Sequence, residues 1–420
     1  MDFIGEAFVD DTGLGTNQTS SEQLQLQSYR TQQEVVQNLV TLAQEWEQLL
    51  YSTGGALNLQ KCFWFTLSWR WSKGKAVLEI QETSPASIHM TSEGQQETTL
   101  IPRIEPTTSF RTLGVYLTPT GSSKGSMITL QEGAIQYAAT ITGTHLSRQE
   151  ALTSYVQYIL PKLRYQPPLL ALTKAECQKL MTILLRALLP KMHVNRNTAR
   201  SIIHGPFDYG GLEIPHIYTL QGADKLQLFI GHLRIQDRTG QLIHCNLTYL
   251  QLLSGTGTFI LNQSFQRYQW VERGWITSLW ELANECNLTF MYPGQWLPTL
   301  PRQHDQFLME YFILRKIPDK VMVRLNRCRL YLQVLTISDI TTADDKQLLP
   351  QVKLGQPIPH RVSTLSWPSQ GSPNKADWLL WRDTLQHLEA NGVLTTTLGS
   401  WINTSHQLWS YHYHQPTGNL

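Results

Sequence analysis

The stretch that decides the fold lies near the start of the chain, where residues 3–16 read FIGEAFVDDTGLGT. A short apolar run leads into Asp10 and Asp11, and Gly13 and Gly15 follow them. This pattern predicts one strand, a tight turn and the start of a returning strand. Adjacent carboxylates at a strand end supply hard oxygen ligands, which suit Mg²⁺. The alternative interpretation is an ordinary polar turn with no metal.

A long helix is predicted after this hairpin. Thr31 can cap the helix and Glu34 completes a capping box. Apolar residues then follow at helical spacing until Gly54 and Gly55 end the pattern. Further strands are predicted at residues 62–71, 76–80 and 110–117. Strand, helix and strands in this order indicate an α+β fold for the first part of the chain.

The pattern changes to helical periodicity near residue 122. Later helices are predicted most clearly at residues 151–160, 175–189, 275–286 and 378–390. Pro190 is expected to end the second of them, because proline disrupts a helix interior. The sequence thus predicts an α+β part over residues 1–120, a helical part over 121–240 and a mostly helical part over 241–420.

Composition describes a folded chain. Of 420 residues, 41% are hydrophobic and 16% charged, which excludes a disordered protein. The five cysteines are scattered, so neither a disulfide framework nor a zinc site is indicated. No signal-peptide pattern follows Met1, and no apolar run approaches the ~18 residues of a membrane span. We therefore expect an intracellular protein of the cytoplasm or nucleus that makes no membrane contact.

Charge is uneven along the chain. The net charge is only +2, but residues 151–215 hold eight Lys and Arg residues against three acidic ones. A local basic surplus suits contact with a nucleic-acid backbone. The alternative interpretation is a set of ordinary solvated helix faces.

Four short motifs stand in a fixed order along the first half of the chain. They are AFVDD at residues 7–11, GGALNLQKC at 54–62, FRTLGV at 110–115 and, after Gly205-Pro206, GGLEIP at 210–215. In this order and spacing they resemble the motifs of reverse transcriptases from eukaryotic retroelements, particularly the non-LTR kind. Glu213 departs from the glycine that is usual in the last motif. The resemblance covers about residues 3–215.

The resemblance implies an RNA-directed DNA polymerase that copies an RNA template from a DNA primer. Its fold would be a partial polymerase palm, then a helical thumb and a C-terminal extension of unknown role. Asp10 would be a metal-binding carboxylate for catalytic Mg²⁺, and Asp11 its neighbour in the same site. Phe8 would pack near the primer terminus or the incoming nucleotide. Lys61 could protonate the departing pyrophosphate, although a solvated lysine at a strand start is the alternative.

The resemblance also implies residues that hold nucleic acid. Leu113 and Gly114 would shape the hairpin that grips the primer, where glycine allows close backbone approach. An ordinary hairpin glycine is the alternative. In the basic stretch, Lys191, Arg196 and Arg200 would contact the backbone of the RNA–DNA hybrid.

One departure from the family changes the expected activity. Family members need a further Asp on a separate upstream palm strand, together with fingers that hold the template, and only nine residues precede Asp10. We therefore expect a C-terminal fragment that has no polymerase activity alone. Two alternatives remain open: a non-catalytic nucleic-acid-binding protein, or a decayed relic of a retroelement.

Overall fold

A computed structural model describes the secondary structure of most of the chain. The described residues are 3–8, 11–16, 32–72, 75–92, 98–291, 300–344, 346–358, 367–368, 371–395 and 397–402. By contacts the chain divides into two units. The first comprises Met1–Arg70, Val77–Leu152 and Ile183–Met192, and the second comprises Trp71–Ala76, Thr153–Thr182 and His193–Leu420.

The first part of the chain contains eight described strands and two long helices. The strands are β1 (Phe3–Phe8), β2 (Asp11–Thr16), β3 (Trp69–Ser72), β4 (Lys75–Leu78), β5 (Ile88–Thr91), β6 (Thr98–Ile101), β7 (Phe110–Thr112) and β8 (Val115–Leu117). The helices are α1 (Gln32–Ser52) and α2 (Lys124–Gly143). Within the described ranges the strands pair in chain order as two-stranded sheets. The predicted α+β character of this part is confirmed.

Helix α1 packs against β2 and β5 in the first unit. The Gln44 side-chain amide fixes it to β5, donating to the Thr91 carbonyl at 2.7 Å and accepting from the Thr91 N–H at 3.1 Å. The helix ends as predicted, because Gly54 takes a left-handed φ of 84° and the Gly55 N–H returns to the Leu50 carbonyl. The predicted capping residue Thr31 lies outside the described residues.

A small apolar cluster lies beside this helix. Its buried members are Leu59, Trp64, Ile88, Met90 and Ile101. Trp64 is fixed by its indole N–H, which donates to the Ile101 carbonyl at 3.2 Å, and by an isolated parallel bridge to Arg103. The prediction of one continuous strand over 62–71 was therefore wrong in extent, because this segment makes a single bridge and only its end is a strand.

The second unit is mainly helical. Its helices and helical turns before residue 270 are α3 (Arg148–Ser154, shared with the first unit), a π-helix (Tyr155–Ile159), α4 (Leu160–Tyr165), a 3₁₀ turn (Pro167–Leu169), α5 (Lys174–Lys191, again shared), α6 (Arg200–His204), a 3₁₀ turn (Phe207–Tyr209), α7 (Ile217–Ile235), α8 (Arg238–Ser254) and two 3₁₀ turns (Ile260–Asn262, Phe265–Tyr268). The predicted end of α5 was wrong by two residues. Pro190 lies in its last turn, so it removes only one hydrogen bond there.

Further described elements of this unit follow residue 270. They are α9 (Trp275–Glu285), α10 (Leu308–Leu314), α11 (Asp319–Leu332), a 3₁₀ turn (Ser338–Ile340), α12 (Pro350–Leu354), α13 (Lys375–Leu385), a 3₁₀ turn (Gln386–Leu388), β9 (Glu389–Ala390) and β10 (Val393–Leu394). Helix α9 agrees with its prediction to one residue. The helix predicted over 378–390 was wrong at its end, because Glu389 and Ala390 pair with β10 through a turn at Asn391-Gly392.

The main core of the second unit lies between helices α7 to α11 and α13. Trp280, Phe312 and Trp381 are completely buried in it. The Trp280 indole N–H donates to the Gln263 carbonyl at 2.7 Å, and that of Trp381 donates to the Val352 carbonyl at 3.2 Å. The two indole rings are thus buried with their N–H groups hydrogen-bonded, as a stable core requires. No helix among the described residues has the length and apolar character needed to cross a bilayer.

Candidate functional site

The acidic motif lies at the connection of the β1–β2 hairpin. The antiparallel register pairs Phe3 with Thr16 at one end and Phe8 with Asp11 at the other. The predicted hairpin is therefore confirmed. Phe8 ends β1 and Asp11 begins β2, whereas Asp10 lies outside the described residues. The assignment of Asp10 and Asp11 as Mg²⁺ ligands stays a prediction. Among the described side chains, no group of three His, Cys, Asp or Glu residues is placed to share a metal ion.

Lys61 lies in a turn that its neighbours hold in place. Its backbone N–H donates to the Asn58 carbonyl at 2.9 Å, and Leu59 is buried in the small cluster of the first unit. The Lys61 side chain is exposed. The position suits either predicted interpretation, a proton donor to a leaving group or a solvated lysine.

The motif predicted to grip a primer forms a tight hairpin. The sequence pattern predicted one strand over 110–117, but the structure divides it into β7 and β8, which pair from Phe110–Leu117 to Thr112–Val115. Leu113 and Gly114 connect them with φ angles of 49° and 81°. Two positive φ angles in a two-residue loop are typical of a type I′ turn, which favours Asn-Gly. Leucine there costs roughly 1–2 kcal/mol, because its Cβ crowds the backbone.

Burial of the Leu113 side chain does not offset the energetic cost of its strained backbone. The Leu113 side chain is 45% exposed at the tip of the hairpin, so the turn presents an apolar group to its surroundings. Local strain in a non-glycine residue often marks a position kept for function. The sequence motif named this position, but the strain became apparent only from the backbone.

The base of the hairpin is fixed within the first unit. The Phe110 ring lies 5.0 Å from that of Phe63 and 5.9 Å from that of Phe65, between ring centroids. A hydroxyl–hydroxyl hydrogen bond of 2.9 Å joins Ser109 to Thr118 across the two strands. The structure thus brings the segment that follows Lys61 onto the hairpin that carries Leu113 and Gly114.

The three predicted basic contacts fall into different environments. The Lys191 ammonium donates to the Thr144 carbonyl at 2.6 Å, at the end of α2 in the first unit. Arg196 and Arg200 belong to the second unit and are exposed, Arg200 as the first residue of α6. Lys191 therefore has a structural partner, and Arg196 and Arg200 are the better candidates for nucleic-acid contact.

The Gly-Gly motif forms a closed loop after α6. The N–H groups of Gly211 and Glu213 donate to the carbonyls of Pro206 and Gly205, both at 2.9 Å. A Cβ added at Gly211 would overlap the Gly205 carbonyl oxygen, so the two backbones touch here. Gly210 has open space around it but a φ of 77°. Glu213, which departs from the family pattern, takes a φ of 50°, a conformation that suits glycine better.

Two histidines at the ends of this loop were missed by the sequence reasoning. The rings of His204 and His216 meet edge to face, with centroids 4.8 Å apart. His204 Nδ1 lies 2.7 Å from the Ile214 carbonyl, and His216 Nδ1 accepts from the Tyr218 N–H to cap α7. Burial, with the nearby His204 and Lys174 charges, lowers the pKa of His216 to about 4. His216 is thus neutral at physiological pH, and the pair closes the loop.

Two further ionisable groups are buried in the second unit. The Lys225 ammonium donates to the Ser278 hydroxyl at 2.7 Å, and burial lowers its pKa to about 8. The Asp305 carboxylate accepts from the N–H groups of Gln306 at 2.8 Å and Ser338 at 3.1 Å. Burial raises the pKa of Asp305 to about 6. Both groups connect separate segments of the helical core through hydrogen bonds, so we assign them a structural and not a catalytic role.

In comparisons with known proteins, no family model, curated protein or solved structure matches the chain.

Proposed function

We propose that this chain supplies the acidic hairpin and the primer-gripping hairpin of a retroelement reverse transcriptase, an RNA-directed DNA polymerase. The observation that carries the proposal is the Leu113-Gly114 turn. An exposed leucine holds a strained turn position that Asn would fill without strain, in the motif where the family resemblance expects contact with a primer.

The chemistry proposed for the first unit is nucleotidyl transfer. Asp10 and Asp11 would hold Mg²⁺, which in such enzymes activates the primer hydroxyl and stabilises the pyrophosphate. Phe8, at the end of β1, would pack near the primer terminus. Lys61 would give a proton to the departing pyrophosphate, for which an exposed ammonium on an anchored turn is suited.

The proposed partners are an RNA template and a DNA primer, bound as a hybrid. Arg196 and Arg200 would contact its phosphates, because exposed guanidinium groups bind phosphate in two-pronged geometry. Lys191 would contribute less, since its ammonium already donates to the Thr144 carbonyl.

A photocrosslinking experiment tests the proposal without requiring turnover. The purified chain is bound to an RNA–DNA hybrid whose primer carries 4-thiothymidine at its 3′ end, irradiated, and digested for peptide mapping. We expect the crosslink within the peptide that contains Leu113. A primer with the same base far upstream of the 3′ end is the control and should not label that peptide. Absence of hybrid binding, or equal labelling by both primers, would contradict the proposal.

The isolated chain is expected not to extend a primer. Two-ion transfer in the family uses a further Asp from a separate palm strand, which none of the four motifs supplies. Robust Mg²⁺-dependent extension of the hybrid by the purified chain would overturn this expectation.

A second candidate function is nucleic-acid binding without catalysis. The exposed Arg196 and Arg200 favour it, because they belong to the second unit and need no metal. Binding would then be steeply salt-dependent and indifferent to Mg²⁺, and the 3′-end crosslink to the Leu113 peptide would be absent. A decayed relic would show neither binding nor crosslinking.

A further inference from the structure

One helical segment of the second unit has an unusual turn and two contrasting faces. A π-helix at Tyr155–Ile159 leads directly into α4, and the Leu160 N–H donates to the Tyr155 carbonyl. Tyr155, Ile159 and Leu163 are almost completely buried. They hold one side of the segment in the protein. A π turn inside a helix is rare and often marks a functional position.

The opposite side of this segment carries aromatic rings and a cation. Tyr158 is 60% exposed and Tyr165 is 58% exposed, and Lys162 between them is also exposed. The Lys162 ammonium lies 5.1 Å from the centroid of the Tyr158 ring. Positions separated by four and then three residues share one helix face. We call these three residues the Tyr-Lys-Tyr stripe.

Two carboxylates of this unit are already paired with cations outside the stripe. Arg164 is paired with Asp224 through two hydrogen bonds of 2.7 and 2.5 Å, and Lys174 is paired with Glu285 at 2.9 Å. Their carboxylates are thus matched by partners outside the stripe. The cation of the stripe itself is Lys162, held beside an aromatic ring.

We propose that the Tyr-Lys-Tyr stripe binds single-stranded nucleic acid by stacking bases on Tyr158 and Tyr165 and contacting phosphate with Lys162. The proposal rests on the proposed function in that it needs a nucleic-acid partner, and it makes that partner a single strand. Flat rings interleaved with a cation are what single-strand sites use. Base faces inside a duplex are covered by their neighbours, so they are not offered to an exposed ring.

The dimensions of the stripe suit a short run of nucleotides. Tyr158 and Tyr165 are separated by seven residues, about 10 Å along a helix. A stacked strand advances about 3.4 Å per nucleotide, so the rings span roughly three nucleotides. A protein partner would bury the rings too, but nothing in that case selects a cation beside them.

The test measures binding of fluorescein-labelled oligo(dT) and of a blunt duplex of equal length to the full chain by anisotropy. Tyr158→Ala and Tyr165→Ala should each weaken oligo(dT) binding by roughly five- to hundredfold, because each removes a base-stacking ring. Tyr158→Phe and Tyr165→Phe keep the rings and should stay within about twofold of the unsubstituted chain. Lys162→Met should reduce the salt slope by about 0.7, the loss of one phosphate contact on a single strand.

Tyr249→Ala is the matched control, since Tyr249 is a 47% exposed tyrosine on α8 of the same unit. This variant should bind oligo(dT) like the unsubstituted chain, and all variants should keep its circular dichroism. If the unsubstituted chain binds no nucleic acid, the proposed function and the stripe both fail. If it binds but the two alanine variants match Tyr249→Ala, or if duplex is preferred and equally affected, the stripe alone is overturned.

Discussion

Two hairpins of this chain use the same turn with different residues. Leu113 and Gly114 join β7 to β8 with φ angles of 49° and 81°, and Asn391 and Gly392 join β9 to β10 with φ angles of 54° and 78°. Asn-Gly is the pair that a type I′ turn favours, whereas leucine is strained there. The turn of the later hairpin has the residues that give it the greatest local stability, whereas the turn of the earlier hairpin does not. This difference supports the proposal that the Leu113-Gly114 turn contacts another molecule.

The two hairpins also differ in what lies beneath them. Leu394 of β10 is buried in the large helical cluster together with Leu388 and Leu398. At the β7–β8 hairpin Val115 is buried, but Leu113 and Leu117 are exposed. The two hairpins therefore differ in the core beneath them, whereas both expose apolar residues, since Val393 of β10 is 53% exposed.

The largest effect is expected from the core that carries the later hairpin. Trp381→Ala should lower the free energy of unfolding by about 3–5 kcal/mol, because a large buried ring leaves a cavity. Chemical denaturation followed by far-UV circular dichroism measures it. Trp69→Ala, at a 56% exposed tryptophan, is the control and should cost far less. Equal losses would show that the large cluster does not hold this part of the chain.

The free energy of unfolding of the second unit should also depend on pH, because Asp305 is buried there. Because the pKa of Asp305 is raised from 3.8 to about 6 in the folded chain, its stabilising effect is complete below pH 3.8 and is lost as the pH rises through about 6. Asp305→Asn should therefore raise the unfolding free energy above pH 6, by about 1–3 kcal/mol at most. Below pH 3.8 the two chains should agree. Denaturation curves at both ends of this range measure the effect, and a gain that is independent of pH would contradict the buried-charge explanation.

A substitution in the later turn should copy the strain of the earlier one. Asn391→Leu places a branched side chain at a φ of 54°, so the unfolding free energy should fall by about 1–2 kcal/mol. Asn391→Asp is the control, since Asp tolerates this conformation nearly as well as Asn. If leucine costs nothing at this position, the strain argument for Leu113 loses its basis.

The reverse substitution should have the smallest effect on stability. Leu113→Asn should raise the unfolding free energy by about 1 kcal/mol while weakening the 3′-end crosslink to the hairpin. Leu117→Asn is the control, because Leu117 is similarly exposed but lies in strand β8 with an extended backbone. This variant should not raise the free energy of unfolding. A stabilised Leu113→Asn chain with an unchanged crosslink would separate the strain from nucleic-acid contact.

Local signals in the sequence predicted much of the first unit. The hairpin at residues 3–16 and the end of α1 at Gly54 follow from glycines and apolar spacing, which act over a few residues. The turn at Leu113 was missed by the strand pattern, because leucine is not a turn residue. Only the family motif marked it.

Contacts between distant residues could not be predicted in this way. The pairing of Lys191 with Thr144, 47 residues away, depends on how the chain folds back, as does the contact of Asp305 with Ser338. The acidic site itself stays a prediction, because Asp10 lies outside the described residues. Local sequence patterns therefore predicted short elements and their order, whereas the partners of the charged residues became known only from the structure.

The two glycines of the Gly-Gly motif are required for different reasons, because only Gly211 lies against the backbone of Gly205. Position 210 has space for a side chain and needs only a left-handed backbone, so asparagine should be accepted there. Position 211 has no volume for any Cβ, so every substitution there should be rejected. A search pattern for related chains should therefore score the second glycine as invariant and the first as replaceable.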